Sequence, residues 1–266
     1  MILTIEHHPP QALETFAAAL FCKVGMEADK AASVARLLVH TDAMGRRTHG
    51  LAQAPAYLAE IQKGNMATTG SYVVVKDNGA TSALWDGNYL PGLWLVEQAI
   101  QTCIPRAEKY GLAAIAIKRN HHIGCLAALF EHAWLQDAQG VPTRDPAVLE
   151  HTAPRGSLQL MGGAEYGHKD APKRWGGSTF VQVISPESCS GADVFAEQMD
   201  YLSDRCRSNK PINPAQPVRM PGDQAARGIA AAQQDGIAFD ADTWAALSQW
   251  AGKLGVPMPP SLGRSP

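Results

Sequence analysis

Several things are missing from this 266-residue chain, and each absence removes a class of function. Its Lys and Arg are scattered rather than blocked, and the formal net charge is -2. That gives no electrostatic footing for nucleic acid or for a polybasic membrane contact. No apolar run approaches the roughly 18 residues that a membrane span needs. The start, "MILTIEHHPP", lacks a basic stretch followed by an apolar one, so no secretion signal is expected. The five cysteines, Cys22, Cys103, Cys125, Cys189 and Cys206, form no C-x-x-C pair. An odd, widely spaced set fits small core residues in a reducing cytoplasm. There is no H-E-x-x-H, so the histidines give little support for zinc. No G-x-G-x-x-G follows a strand, which leaves a Rossmann dinucleotide site unsupported.

What is present is a chain 45% hydrophobic, enough for one large domain or two small ones. Helical spacing marks "QALETFAAALFCKVG", with Leu13, Phe16, Leu20 and Val24 on one face, and "EADKAASVARLLVHTDAMG", with Ala32, Val34, Leu37 and Leu38. "AQAPAYLAEIQKG" is a third helix. "SYVVVKD" and "TSALWDG" read as strands of a hairpin around "NGA". "GLWLVEQAIQTCIPRAEKYG" is helical, with Pro105 expected to kink or interrupt it. "LAAIAIK" reads as a buried strand and "GCLAALFEHAWLQ" as another helix. From Asp137 the texture is irregular and rich in Gly, Pro and charge, unusual for a compact domain. "STFVQVI" is a strand, and "ADVFAEQMDYLSDRCRSNK", "DQAARGIAAAQQDG" and "DADTWAALSQWAGKLG" close the chain as helices. Strands interleaved with helices predict an α/β class, with α+β the alternative.

Three stretches carry polar chemistry. In "GRRTHGLAQAPAYL", Thr48 and His49 precede Gly50, so a hydroxyl and an imidazole could hold and protonate a small polar substrate; equally, either could cap the following helix. In "AAIAIKRNHHIGC", His121 and His122 follow a strand and precede a helix, the usual place for ligand-facing groups. A helix N-terminus there favours a neutral His122. Strand alternation points the two rings in different directions, so at most one faces a given site. The alternative is a polar strand end, with one histidine on backbone and one in water. In "MGGAEYGHK", Gly162, Gly167 and Lys169 nearly spell a P-loop. His168 is inserted and Asp170 stands where magnesium needs Ser or Thr, so that reading fails. The turn could still hold a diphosphate or a carboxylate, or be a plain glycine turn. A hydrolase using the histidine pair lacks a visible serine or cysteine nucleophile with a partner.

Taken in order, these pieces resemble the malate/L-lactate dehydrogenase type 2 family, NAD(P)-dependent oxidoreductases unrelated to the Rossmann-fold lactate dehydrogenases. The family's Asp-x-x-Gly-x-x-Ser-His-Gly stretch and its tyrosine-bearing helix match "DAMGRRTHGLAQAPAYLAEIQKGNM", with Thr48 for serine. "NHFG" appears as "HHIG", "G-x-PTxDP" as "GVPTRDP", "GGxxxGHKG" as "GGAEYGHKD", and the "PGE" turn as "MPGDQ". The likeness runs from about residue 10 to about 258. Two family segments have no counterpart here: a long central one, missing at about Ala133/Trp134, and a second after "GHK", at Lys169/Asp170. The first would build much of the central sheet and cofactor pocket, so an incomplete central sheet is expected between helical N- and C-terminal regions. The chain is then a single unit with parts 1–66, 67–136, an irregular 137–177 and 178–266.

The resemblance implies hydride transfer between NAD or NADP and C2 of a small 2-hydroxy or 2-oxo acid, or a related imino acid. A histidine carries the proton, His122 or His49, and Thr48 bonds the substrate. Arg47, Tyr57 and His121 are the other substrate-side candidates. Where the family often has a carboxylate-holding arginine, Gln53 stands, and Arg46 or Arg47 is the substitute. His168, Lys169, Gly222, Asp223 and Gln224 match cofactor contacts. A homodimer is the implied assembly. The alternative function is a shortened, catalytically dead relative that serves as a binding or dimerisation module.

Overall fold

The computed structural model describes residues 6–129 and 176–263. The "GVPTRDP" and "GGAEYGHKD" turns, the irregular region and both expected joins lie outside the described residues, as do His168 and Lys169.

The N-terminal part is a helical hairpin, α1 (Pro10–Lys23) and α2 (Ala28–Ala43). Leu13, Phe16 and Leu20 of α1 are buried against Val34, Leu37 and Leu38 of α2, the face the spacing predicts. Each fully buried leucine of this kind contributes about 1.5–3 kcal/mol. Val24 is only half-buried, and Ala32 faces out while Ala31 takes the inner position. The third helix, α3 (Ala54–Gln62), is preceded by two 3-10 turns, Arg47–His49 and Leu51–Gln53. Tyr57, Leu58 and Ile61 are its buried side.

The main sheet has four strands among the described residues: β2 (Val73–Asp77), β3 (Ser82–Asp86), β4 (Leu112–Asn120) and β5 (Gly177–Ile184), in that spatial order. β2 and β3 form the predicted antiparallel hairpin. β3 and β4 are parallel, joined over the sheet by α4 (Gly92–Tyr110), and β5 returns antiparallel. Register sets Ala83 and Trp85 beside Ile115 and Ile117, and these beside Val181 and Thr179. All six are buried, forming one face with α4 packed on β4 and β5. The other face, with Ala114, Ala116 and Phe180, is only half-buried. "LAAIAIK" is therefore apolar on both sides but closed on one by described residues.

Pro105 does not interrupt α4. The carbonyl it leaves without a helical donor is that of Gln101, and both residues are exposed, so water can satisfy it. The closing helices are α5 (Ala192–Arg207), α6 (Asp223–Asp235) and α7 (Ala241–Leu254). α6 packs on α2, and α7 packs on α1 and α3. Asp240 caps α7 by accepting the Thr243 N–H at 2.8 Å. A two-strand ladder unseen in the sequence, β1 (His7–His8) with β6 (Ile237–Ala238), ties the start of the described chain to its last quarter. Among the described residues no helix is long and apolar enough to cross a membrane, and no group of His, Cys, Asp and Glu is set to hold a metal ion.

Candidate functional site

The site begins at the end of β4. Its pairing with β5 shifts between Lys118 and Asn120, and Arg119 between them has φ 53°. A left-handed backbone at an arginine is costly unless held. Here Asp86 holds it: the Arg119 Nε–H donates to Oδ1 at 2.9 Å, and Nη2 donates to Oδ2. Burial pushes the Asp86 carboxyl up, but this guanidinium and the Asn88 N–H hold it below the usual range. The Tyr89 N–H donates to the Arg119 carbonyl at 2.7 Å, and Tyr89 and Asn88 are also left-handed. Three strained residues thus lock the corner from which the two histidines leave the strand.

His121 and His122 both line one cavity and both meet the Tyr57 ring edge-on, so strand alternation does not divide them between two sites. His121 is buried, its ring edge-on to Tyr57, while His122 is half-buried at the wall of a cavity of about 660 Å³. The Tyr57 hydroxyl lies 2.7 Å from His122 Nδ1, across 65 residues of sequence. The Gly124 N–H donates to the same nitrogen at 3.3 Å. A fixed N–H aimed at Nδ1 makes that nitrogen the acceptor, so neutral His122 rests with its proton on Nε2. Burial of the ring, and then the charge of nearby His49, lower the His122 pKa below 6.5. Burial also holds the Tyr57 phenol well above its usual range, so it stays a hydroxyl. Because a hydroxyl both donates and accepts, Tyr57 can follow a change of His122 tautomer. Removing it in Tyr57→Phe leaves Nδ1 with the one long bond from Gly124. A stability loss of about 1 kcal/mol is expected, read as a lower urea midpoint at unchanged slope.

The facing wall is the Thr-His-Gly turn. Thr48 and His49 cap no helix: α3 starts later, from Gln53, without a side-chain cap. Instead Thr48 Oγ1 lies 2.9 Å from His49 Nδ1. The rings of His49 and His122 stack with centroids 6.3 Å apart. That proximity is the second cause, after burial, of the lowered His122 pKa.

Arg46, Thr48, His49, Asn120, His121 and His122 all line this cavity, and Arg46 is the one charged side chain among its described lining residues. Arg47 is not among them. It acts instead on Asp42, the acid that opens the matched Asp-x-x-Gly-x-x-Ser-His-Gly stretch and that the motif alone gives no role. Gln53 is turned back on its own turn, its Nε2 donating to the Thr48 carbonyl at 2.7 Å.

The "GDQ" residues stand apart from the cavity lining. Gly222 precedes α6 with φ 98°, and no side chain caps the helix. The Asp223 carboxylate accepts from Arg207 at 2.9 Å and from the Met220 N–H at 2.7 Å, and Gln224 is exposed. An uncapped first turn offers backbone donors suited to phosphate, whereas the Asp223 side chain is already engaged.

Chemically, the cavity can hold a small anion against Arg46 and move a proton at one of two imidazoles. The malate/L-lactate dehydrogenase family matches the chain in two stretches, residues 8–134 and 129–248. Hydroxycarboxylate dehydrogenase B of Escherichia coli O157:H7 is 24% identical over 343 aligned positions, covering 93% of this chain and 94% of that protein. A (2R)-3-sulfolactate dehydrogenase (NADP(+)) of Chromohalobacter salexigens is 31% identical over 118 residues, 44% of this chain and 35% of that one. In fold, the chain is similar to malate dehydrogenase from Pyrococcus horikoshii OT3, with a TM-score of 0.79 at 16% identity over 95% of this chain and 97% of that one.

Proposed function

The chain belongs to the malate/L-lactate dehydrogenase family, and on that premise we propose that it is an NAD(P)-dependent oxidoreductase acting on a small 2-hydroxy or 2-oxo acid. The observation that carries the reading is the cavity in which two hydroxyl-partnered histidines and one arginine meet. Arg46, rather than Arg47, holds the substrate carboxylate, because Arg46 lines the cavity, and a guanidinium pairs with a carboxylate through two parallel N–H donors. His122 carries the proton, with Tyr57 orienting it. His121 is buried behind Tyr57 as part of the wall. Thr48 and His49 bond the substrate oxygen's side of the cavity.

A cavity of about 660 Å³ lies within the roughly 300–1,000 Å³ of ligand pockets and suits a small acid beside a flat ring. The nicotinamide, when bound, supplies or accepts the hydride. Gly222 and Gln224 would meet its phosphates through backbone N–H groups at the first turn of α6, where the Asp223 N–H already donates to the Met220 carbonyl at 3.2 Å; His168 and Lys169 are cofactor candidates by resemblance alone. In reduction, protonated His122 gives its Nε2 proton to the carbonyl oxygen; in oxidation, Nε2 takes one from the hydroxyl in the tautomer whose own proton sits on Nδ1 and is donated to the Tyr57 hydroxyl. The lowered pKa favours the neutral ring at pH 7. Oxidation should therefore run well at neutral pH, and reductive turnover should rise as pH falls below 6.5. A pH–rate profile in each direction checks this.

A homodimer in the cytoplasm completes the reading. The exposed edge of β2, with Val73, Val74 and Val75, is surface available for a partner. One observation favours the second reading, a shortened relative without catalysis that serves as a binding or dimerisation module. The matched stretches meet at 129–134, and the 343-position alignment of a 266-residue chain contains long gaps.

Titrating NADH and NADPH while following fluorescence and melting temperature separates the two. No shift at millimolar cofactor would remove the enzyme reading. If cofactor binds, His122→Ala is expected to lower 2-oxo acid reduction by about 10²–10⁴-fold, the usual contribution of a general acid. A larger loss in His49→Ala than in His122→Ala would transfer the proton role to His49.

A further inference from the structure

Beneath the Thr48-His49-Gly50 turn lies a carboxyl group with no place in the scheme above. Asp42, near the end of α2, is 5% exposed. Its Oδ2 accepts the Leu51 N–H at 2.7 Å, and its Oδ1 has no hydrogen-bond partner among the described residues. A Cβ on Gly50 would fall 2.1 to 2.4 Å from three of the carboxyl atoms. The turn therefore rests directly on Asp42, and the absence of a side chain at Gly50 is what allows the approach.

We propose that Asp42 is a positioning residue for His49, its carboxyl group being the floor that sets where the turn, and so the imidazole, stands in the cavity. This rests on the oxidoreductase reading for its catalytic meaning, but not for its geometry. Only a short side chain ending in an acceptor meets the demand. Alanine leaves the buried Leu51 N–H orphaned and a hole under Gly50, while a longer acid cannot fit under the glycine.

The charged groups that act on Asp42 are Arg47 of the turn, which favours the carboxylate, and Asp240 at the start of α7, which opposes it. α6 packs on this end of α2 through Gly228, whose Cβ would fall 2.5 Å from the Ala43 carbonyl, so a glycine faces the backbone there. Burial outweighs these influences and pushes the Asp42 carboxyl up to about 7. The grip on Leu51 is therefore charge-assisted above neutrality and weaker below it.

The test compares the wild type with Asp42→Asn, Asp42→Ala, Gly50→Ala and the double variant Asp42→Ala with Gly50→Ala, all without ligand. In Asp42→Ala the Leu51 amide should lose at least about 10-fold of its hydrogen-exchange protection, a loss of the kind an orphaned donor gives. Amides at Leu37 and Leu38 should keep theirs. Asp42→Asn, whose amide oxygen can still accept, should restore Leu51 to within a few-fold. The Leu51 amide shift should titrate near pH 7 in the wild type and stay flat in Asp42→Asn. Gly50→Ala alone should be far more disruptive than in the Asp42→Ala background, where its methyl has room.

With cofactor and a 2-oxo acid, Asp42→Ala should lower kcat at least about 10-fold at near-constant cofactor KM, with Asp42→Asn recovering most of it. Unchanged Leu51 protection in Asp42→Ala overturns the inference, as does unchanged kcat in an active enzyme. A wild type without turnover sinks the oxidoreductase reading, while the Leu51 measurements still decide what Asp42 holds.

Discussion

Gly92→Ala is expected to cost about 3 kcal/mol or more and to abolish whatever the cavity does. Gly92 opens α4, where intrinsic propensity favours alanine over glycine by about 0.5–1 kcal/mol. Read from the helix alone, the substitution stabilises. The tertiary contact reverses that sign. A Cβ there would lie 2.2 Å from the His121 carbonyl oxygen and 2.7 Å from that of His122. Both obstacles are backbone, and the first must retreat by about 1 Å to reach ordinary contact. The region has little freedom to yield. The His121 N–H donates to the Leu90 carbonyl at 3.0 Å, and the Asn120 amide donates to the His121 carbonyl at 2.8 Å. Overpacking against a fixed backbone stands at or above the upper end of the usual 1–3 kcal/mol range, and it outweighs the propensity gain. Urea denaturation measures the stability loss, and oxo-acid reduction measures the displacement of His122. A variant as stable as the wild type, with normal turnover, would mean that α4 and the histidine corner slide apart freely.

That glycine also marks the limit of what the residues alone disclose. Helices and strands of the described part are legible because apolar spacing records which faces are buried; α1, α2, α4 and β4 follow it closely. The Thr-His-Gly and His-His stretches are legible as polar groups at the ends of apolar elements. Their meeting is not, since spacing says nothing of the parallel pairing of β3 with β4 that brings the end of β4 beside α3. Tyr57 illustrates this. In sequence it is one apolar position of a short helix, and only the fold brings its hydroxyl to His122. Arg46 and Arg47 differ by one position in a 3-10 turn, which no periodicity resolves. Gln53 occupies the place of a family arginine, yet it bonds its own turn, so the side chain that replaces a charge need not inherit its direction. Asp42 carried a usable signal: an acid eight residues before a glycine that follows Thr-His. Sequence spacing alone could not tell a floor for that glycine from an exposed helix end.

The same carboxyl yields the second large effect. Asp42→Asn is expected to stabilise the protein by up to about 4 kcal/mol at pH 8 and to change it little at pH 4. The folded carboxyl sits near 7 against an ordinary 3.8, because burial disfavours its charge. A raised carboxyl pKa means that the folded chain binds the proton more tightly than the unfolded chain. The stability linked to that proton is whole below about pH 4. It falls as pH rises from there to about 7, and above 7 the fold carries the full penalty. Three pH units at about 1.4 kcal/mol each set the size, a substantial part of the roughly 5–15 kcal/mol that holds a domain together. Asparagine has no such titration and can still accept the Leu51 N–H, so its stability should be flatter with pH. Urea unfolding of both proteins at steps from pH 4 to pH 8 checks this, and parallel curves would show that the carboxyl is not buried as its contact with Gly50 requires. If the curves diverge as expected, the cost of the ionised acid is borne at the turn that carries His49. The pH at which the fold loses stability is then also the pH at which the grip on that turn becomes charge-assisted.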